Sequence, residues 1–202
     1  MSAETADRTE KPTASGDLAG RNIVLVATGS IGTSLLPIWL PWLRHAADVN
    51  IRVVLTRAAT RFVGTAAVHA FAGGSVRLDD WDACGDEAAH VEMNSWADAY
   101  LVHPATMNFV SRFAAGLCDS PYLLAMQGFT GPIVIAGAAP PGFVESPVWG
   151  QYERAIGARP NVRLLAPTEG FSTADPDNAG LPAVQFPLAV GALADAITQV
   201  AS

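Results

Sequence analysis

Cysteine is nearly absent from this chain: its 202 residues include two, Cys84 and Cys118. Two cannot build a disulfide framework, and neither has the closely spaced partner that a zinc site needs. Charge is scarce too, at 15% of residues, and it leans acidic, since 12 Lys+Arg against 19 Asp+Glu leave -7. A protein that grips a nucleic-acid backbone needs clustered cations, so nucleic acid is not an expected partner. No apolar run approaches the roughly 18 to 20 residues of a membrane span. Met1 to Leu18 is polar where a secretory signal would be apolar, and no internal repeat is present. These absences predict a cytoplasmic protein without a metal, a membrane anchor or a nucleic-acid partner. What remains is 50% hydrophobic, too apolar for disorder and of a length that suits one domain.

Residues 1–20 lack periodicity and are small and polar, which predicts a disordered tail ahead of a single domain over 21–202. From Ile23 the chain turns abruptly apolar. The runs 23–27, 51–56, 99–103, 132–136 and 162–165 are continuous and rich in β-branched residues, as strands buried on both faces are. Pro104 is expected to end the third of them, and Pro37 and Pro41 to kink or shorten the first helix. Ser120-Pro121 and Ser146-Pro147 each place a capping residue before a proline at the first helical position. Strand and helix alternate throughout, so the expected fold is α/β: three layers around a doubly wound, mostly parallel, Rossmann-like sheet. Residues 166–187 are rich in Gly, Pro, Asp and Asn and read as a flexible flap, and a last helix is expected over 189–200.

The first strand runs directly into Thr28-Gly29-Ser30-Ile31-Gly32-Thr33-Ser34. Glycines admit an anion close to the backbone, and hydroxyls with free helix N–H groups can hold a phosphate. The pattern lacks the spacing of the dinucleotide fingerprint and the lysine of a P-loop, which favours a mononucleotide. An ordinary strand-to-helix turn would read the same way. Thr56 ends the second strand and faces the same crevice. His90 suits a proton-abstracting role near neutral pH, as it also suits a plain surface histidine. His103 competes with it, from a strand end where open α/β sheets gather active-site groups. Thr106 and Asn108 follow there and could equally cap a helix.

Taken together, these pieces resemble the homo-oligomeric flavin-containing cysteine decarboxylases, and within them the epidermin-type enzymes that act on peptidyl cysteine. The likeness rests on Val26-Ala27-Thr28-Gly29-Ser30-Ile31, on His90-Val91, and on Ala97 to Val102 running into Pro104-Ala105-Thr106-Met107-Asn108. Ala115-Gly116-Leu117-Cys118-Asp119-Ser120 then resembles the family's Gly-x-x-Asp-Asn/Ser stretch. Order and spacing agree across about residues 22–165. The resemblance implies FMN as cofactor, with its phosphate on Gly29, Ser30 and Ser34, Ile31 alongside, and Thr56, Pro104, Ala105 and Thr106 nearby. It implies His90 as base and Asn108 as the amide that orients the substrate. The family's Pro-x-Met-Asn-x-x-Met-Trp motif is degraded here. Anchoring it on Trp149 puts Glu145 where an asparagine stands, so Glu145 and Trp149 are the substrate-binding candidates from that segment.

In that family, oxidation of a cysteine thiolate gives a thioaldehyde that accepts the electrons left by departing carbon dioxide; the cofactor carries this chemistry and the protein supplies position. Coenzyme A pathway members carry a cysteine in the late flap, and 166–187 has none. The resemblance therefore implies oxidative decarboxylation of the C-terminal cysteine of a ribosomally made precursor peptide, as in lanthipeptide-like pathways, leaving an enethiol that later closes an aminovinyl-cysteine ring. Phosphopantothenoylcysteine decarboxylase, a flavin prenyltransferase and a non-catalytic flavin-binding regulatory subunit are the alternatives. A homotrimer or homododecamer, with the flavin near a subunit boundary, is the implied assembly.

Overall fold

The strands are apolar at every position because each face of the sheet carries a helix layer, and alternate side chains serve opposite layers. A computed structural model describes residues 18–85, 87–171 and 179–201. Six strands form one sheet: β1 Asn22–Ala27, β2 Asn50–Thr56, β3 Val76–Asp79, β4 Ala99–Thr106, β5 Ile133–Ala138 and β6 Val162–Leu165. Every neighbouring pair is parallel and the order is β3-β2-β1-β4-β5-β6. Ile23, Leu25, Leu101 and Val134 point into one apolar cluster, with α1 (Leu36–Ala47), α2 (Thr65–Ala72) and α8 (Phe186–Ala201) above them. Val24, Val26, Tyr100 and Ile133 point into the other. Over that face lie α4 (Ala89–Trp96), α5 (Met107–Ala114), α6 (Pro121–Gly128) and α7 (Pro147–Gly157), after a one-turn α3 (Trp81–Cys84). The doubly wound parallel fold is as expected. Succession runs outward from β1 on one side and from β4 on the other, so the crevice between their carboxyl ends is where such sheets bind ligands.

Several details differ from the sequence reading. Pro104 does not end the third strand; β4 continues to Thr106. The pairing register with β5 shifts between Val102 and Ala105, so a residue without an N–H stands where the ladder is already interrupted. The first helix is not cut short either. Pro37 lies in its first turn, where no N–H is needed, and the helix runs twelve residues through Pro41 after a 3-10 turn at Ile31–Leu35. Leu18, read as tail, is fully buried in the first cluster, and Arg21 N donates to its carbonyl at 3.0 Å. Folded structure therefore begins by Leu18. The rest of the tail, 1–17, lies outside the described residues, as do 172–178 of the flap. The described flap residues pair as β7 (Gly170–Phe171) with β8 (Ala179–Gly180), and the last helix starts at Phe186.

Candidate active site

One side chain fixes the crevice between β1 and β4. Thr28 Oγ1 donates to the Pro104 carbonyl at 2.7 Å and accepts from Thr106 N at 2.8 Å. The Thr28 carbonyl accepts from Thr33 Oγ1 at 2.6 Å, which fastens the following 3-10 turn. Thr28 is 2% exposed, so these bonds are sheltered from competing water and hold both strand ends in one geometry. Beyond this stitch the backbone must pass closely by the segment that follows β2. A Cβ on Gly29 would lie 2.5 Å from Ala58 Cβ, closer than two carbons can approach, so only glycine fits. Ser30 is the N-cap of the 3-10 turn, yet its side chain makes no capping bond. Ser34 spends its hydroxyl on the Ile31 carbonyl at 2.7 Å.

Two cavities flank this loop and share Gly29 and Thr106 as a ridge. The larger, about 810 Å³, takes Ser30, Ile31, Ser34 and Pro104 as walls. Its far side is aromatic: Phe186 stacks on Trp39 at 5.7 Å and meets the His103 ring edge-on at 5.0 Å. Burial pushes the His103 imidazole below its ordinary pKa, so it stays neutral. Its Nε2–H then donates to the Val184 carbonyl at 2.8 Å. That bond ties down the segment before α8, as do Ala139 N to Leu181 O at 2.9 Å and Thr168 N to Pro182 O at 3.0 Å. Part of the expected flap is thus a strap that walls the cavity.

The smaller cavity, about 440 Å³, is polar and lies over the ends of β1, β2 and β3. Thr56, Thr106 and Asn108 line it, with Arg57, Asp79 and Arg112, which sequence reasoning passed over. Arg57 follows Thr56 directly at the strand end, a signal that was available. Asp79 was not legible, because its partners are distant in sequence. It accepts from Ser120 Oγ at 2.8 Å and from Tyr122 N at 3.0 Å, and so caps α6 in place of Ser120. Burial pushes the Asp79 carboxyl above its ordinary 3.8, against the lowering effect of those two bonds. A raised acid contributes stability that is complete below its ordinary pKa and is lost as pH rises through the folded value. Asp79→Asn, which keeps an acceptor for Tyr122 N–H, should therefore hold or gain stability at pH 7 in urea unfolding. Asp79→Ala, which strands both donors, should lose about 1–3 kcal/mol.

The remaining candidates lie apart from these cavities. Ala105 is fully buried within β4. Trp149, expected at the substrate, packs in the second apolar cluster at 4% exposure, with its Cη2 3.4 Å from where a Gly137 Cβ would be. It supports β5 from beneath and lines neither cavity. Glu145 is exposed just before α7. His90, on the first turn of α4, meets Trp81 edge-on at 6.2 Å and lines neither cavity of its own chain. Its Nδ1 is buried without a hydrogen-bond partner.

Comparison with known proteins agrees with this architecture. The chain is 35% identical over 167 residues to a cypemycin cysteine dehydrogenase (decarboxylating) from a Streptomyces species, covering 79% of this chain and 84% of that protein. Among solved structures, the cypemycin decarboxylase superposes with a TM-score of 0.73 at 29% identity, over 92% of this chain and 98% of that one. The FMN-dependent cysteine decarboxylase SpaF gives 0.75 at 27% identity, over 92% and 99%. The family model described as Flavoprotein matches residues 12–181, which hold all six strands of the sheet and the loop after β1, and the chain belongs to that family.

Proposed function

We propose that this protein is an FMN-dependent enzyme that oxidatively decarboxylates the C-terminal cysteine of a precursor peptide. The observation that carries the reading is the pair of joined cavities at the switch point, in a chain 35% identical to a cysteine dehydrogenase. The residues fit the cofactor. Gly29 brings bare backbone to the ridge between the cavities, the larger cavity has aromatic walls for a flat ring, and the smaller has donors for an anion. When bound, FMN supplies the two-electron oxidation that makes the carboxylate a leaving group.

The chain's own part is placement and proton handling. Among the described residues no Lys, Arg, Asp or Glu lines the larger cavity. Without a cation, such a cavity gives the dianionic phosphate of a pantetheine arm no partner, whereas the single carboxylate at a peptide's end departs as carbon dioxide. The absence of cysteine from 166–187 favours the same choice. Asn108 stands exposed on the first turn of α5 at the smaller cavity, where an amide can orient a ligand. The base we assign is His90, serving the cavity of a neighbouring copy; its position on α4, outside both cavities of its own chain, supports that reading. The exposed Ile31, Leu35, Ile38 and Leu188 offer an apolar rim for that contact. A homotrimer, alone or gathered into a dodecamer, meets both needs, and the protein acts in the cytoplasm, where its cysteines stay reduced.

The test is to incubate the FMN-loaded protein with Cys-terminated peptides and follow peptide mass. Loss of carbon dioxide and two hydrogens is expected. Turnover of phosphopantothenoylcysteine with no action on any peptide would replace this reading with the coenzyme A one.

A further inference from the structure

The two cavities differ in charge in a way that the reading above leaves unused. Among the described residues, guanidinium and carboxylate side chains meet only the smaller one, through Arg57, Asp79 and Arg112. Arg112 is the better-placed cation. Asp119 grips one edge of its guanidinium, accepting from Nε at 3.1 and 3.2 Å and from Nη2 at 2.5 Å. The Arg112 side chain is 22% exposed, and among the described residues its Nη1 makes no hydrogen bond. A guanidinium held this way is aimed, with its free edge still able to donate.

The other groups around the cavity are donors too. Thr56 Oγ1 accepts from Ala59 N at 3.2 Å and Thr106 Oγ1 from Phe109 N at 3.5 Å, so each hydroxyl proton is left to give. Arg57 pairs with Asp80 but is 77% exposed, a looser second cation. Asp79 is the one acid lining this cavity among the described residues, and Ser120 and Tyr122 N–H already occupy its two oxygens. A wall of free donors around a small polar cavity fits a dianion.

We propose that Arg112, positioned by Asp119, is the residue that grips the phosphate of the mononucleotide, with Arg57 as its outer partner and the Thr56 and Thr106 hydroxyls completing the donor set. This rests on the FMN reading and moves the phosphate from Ser30 and Ser34, on the larger cavity, across the Gly29–Thr106 ridge. Apoprotein titrated with FMN and with riboflavin, which lacks only the phosphate, separates the two. By quenching of flavin fluorescence, Arg112→Gln should raise the Kd for FMN at least about tenfold, as loss of a charge-assisted bond implies. The Kd for riboflavin should stay within about twofold of wild type, and Asp119→Asn should give a smaller loss confined to FMN. Should Arg112→Gln fail to fold, Arg57→Gln, at an exposed side chain, carries the test with a severalfold loss for FMN alone. Unchanged FMN affinity, or equal loss of both flavins in a folded variant, would overturn the assignment. A wild-type protein that binds neither flavin would instead remove the FMN reading itself.

Discussion

His90→Asn should give a protein that is still yellow but no longer decarboxylates. Loss of a general base lowers turnover by at least about a hundredfold, and asparagine has neither the imidazole's basicity nor its reach. Flavin should stay bound, because the aromatic wall and the polar donors that would hold it belong to the copy that owns the cavity, and His90 is in neither lining. That placement makes a sharper test available. Mixing His90→Asn with a variant that cannot bind flavin should restore a measurable part of the activity, since one copy supplies the cavity and the other the imidazole. A mixture that stays inactive, beside an active wild type treated identically, would place His90's action within its own chain. Full activity in His90→Asn alone would end the assignment altogether.

Gly29→Asp should yield colourless protein. The first added atom already collides with Ala58 Cβ at 2.5 Å, and the carboxylate beyond it would meet the cofactor in a crevice suited to anions. Together these should weaken FMN binding by at least about two decades, read by equilibrium dialysis. Bulk and charge can be told apart. Gly29→Ala alone should also weaken binding, through the collision, and pairing it with Ala58→Gly removes the opposing methyl and should recover most of the affinity. If Gly29→Asp copurifies with a full complement of FMN, the loop after β1 is not the cofactor's cradle.

How far the sequence could be read depended on the range of the interactions involved. β1, β2, β4, β5 and β6 announce themselves because burial on both faces demands an unbroken apolar run. β3 went unseen: it is a four-residue edge strand whose apolar residues are only Val76 and Leu78, behind Gly73-Gly74. The proline-led helix starts at Pro121 and Pro147 stand where the sequence puts them, but the capping chemistry differs. Ser120 gives its hydroxyl to Asp79, and Ser146 Oγ is buried without a partner. In the site, the glycine and hydroxyl loop was legible because its signal is local. The aromatic wall was not, since Trp39 and Phe186 lie far apart in sequence and meet only through α8. Trp149 shows the opposite case, a motif position whose side chain packs in the core.

The stitch made by Thr28 has a consequence for selectivity. Because one hydroxyl binds the ends of β1 and β4 together, the span from the aromatic wall to the polar cavity is set by the protein alone. The crevice then works as a ruler. A ring joined to its anion by a tether shorter or longer than this span seats one end and forfeits the other, whatever the chemistry of either. Thr28→Val, nearly the same in shape but without the hydroxyl, should blur that measurement. It would bind a mismatched flavin analogue almost as well as the matched one, while the wild type tells them apart.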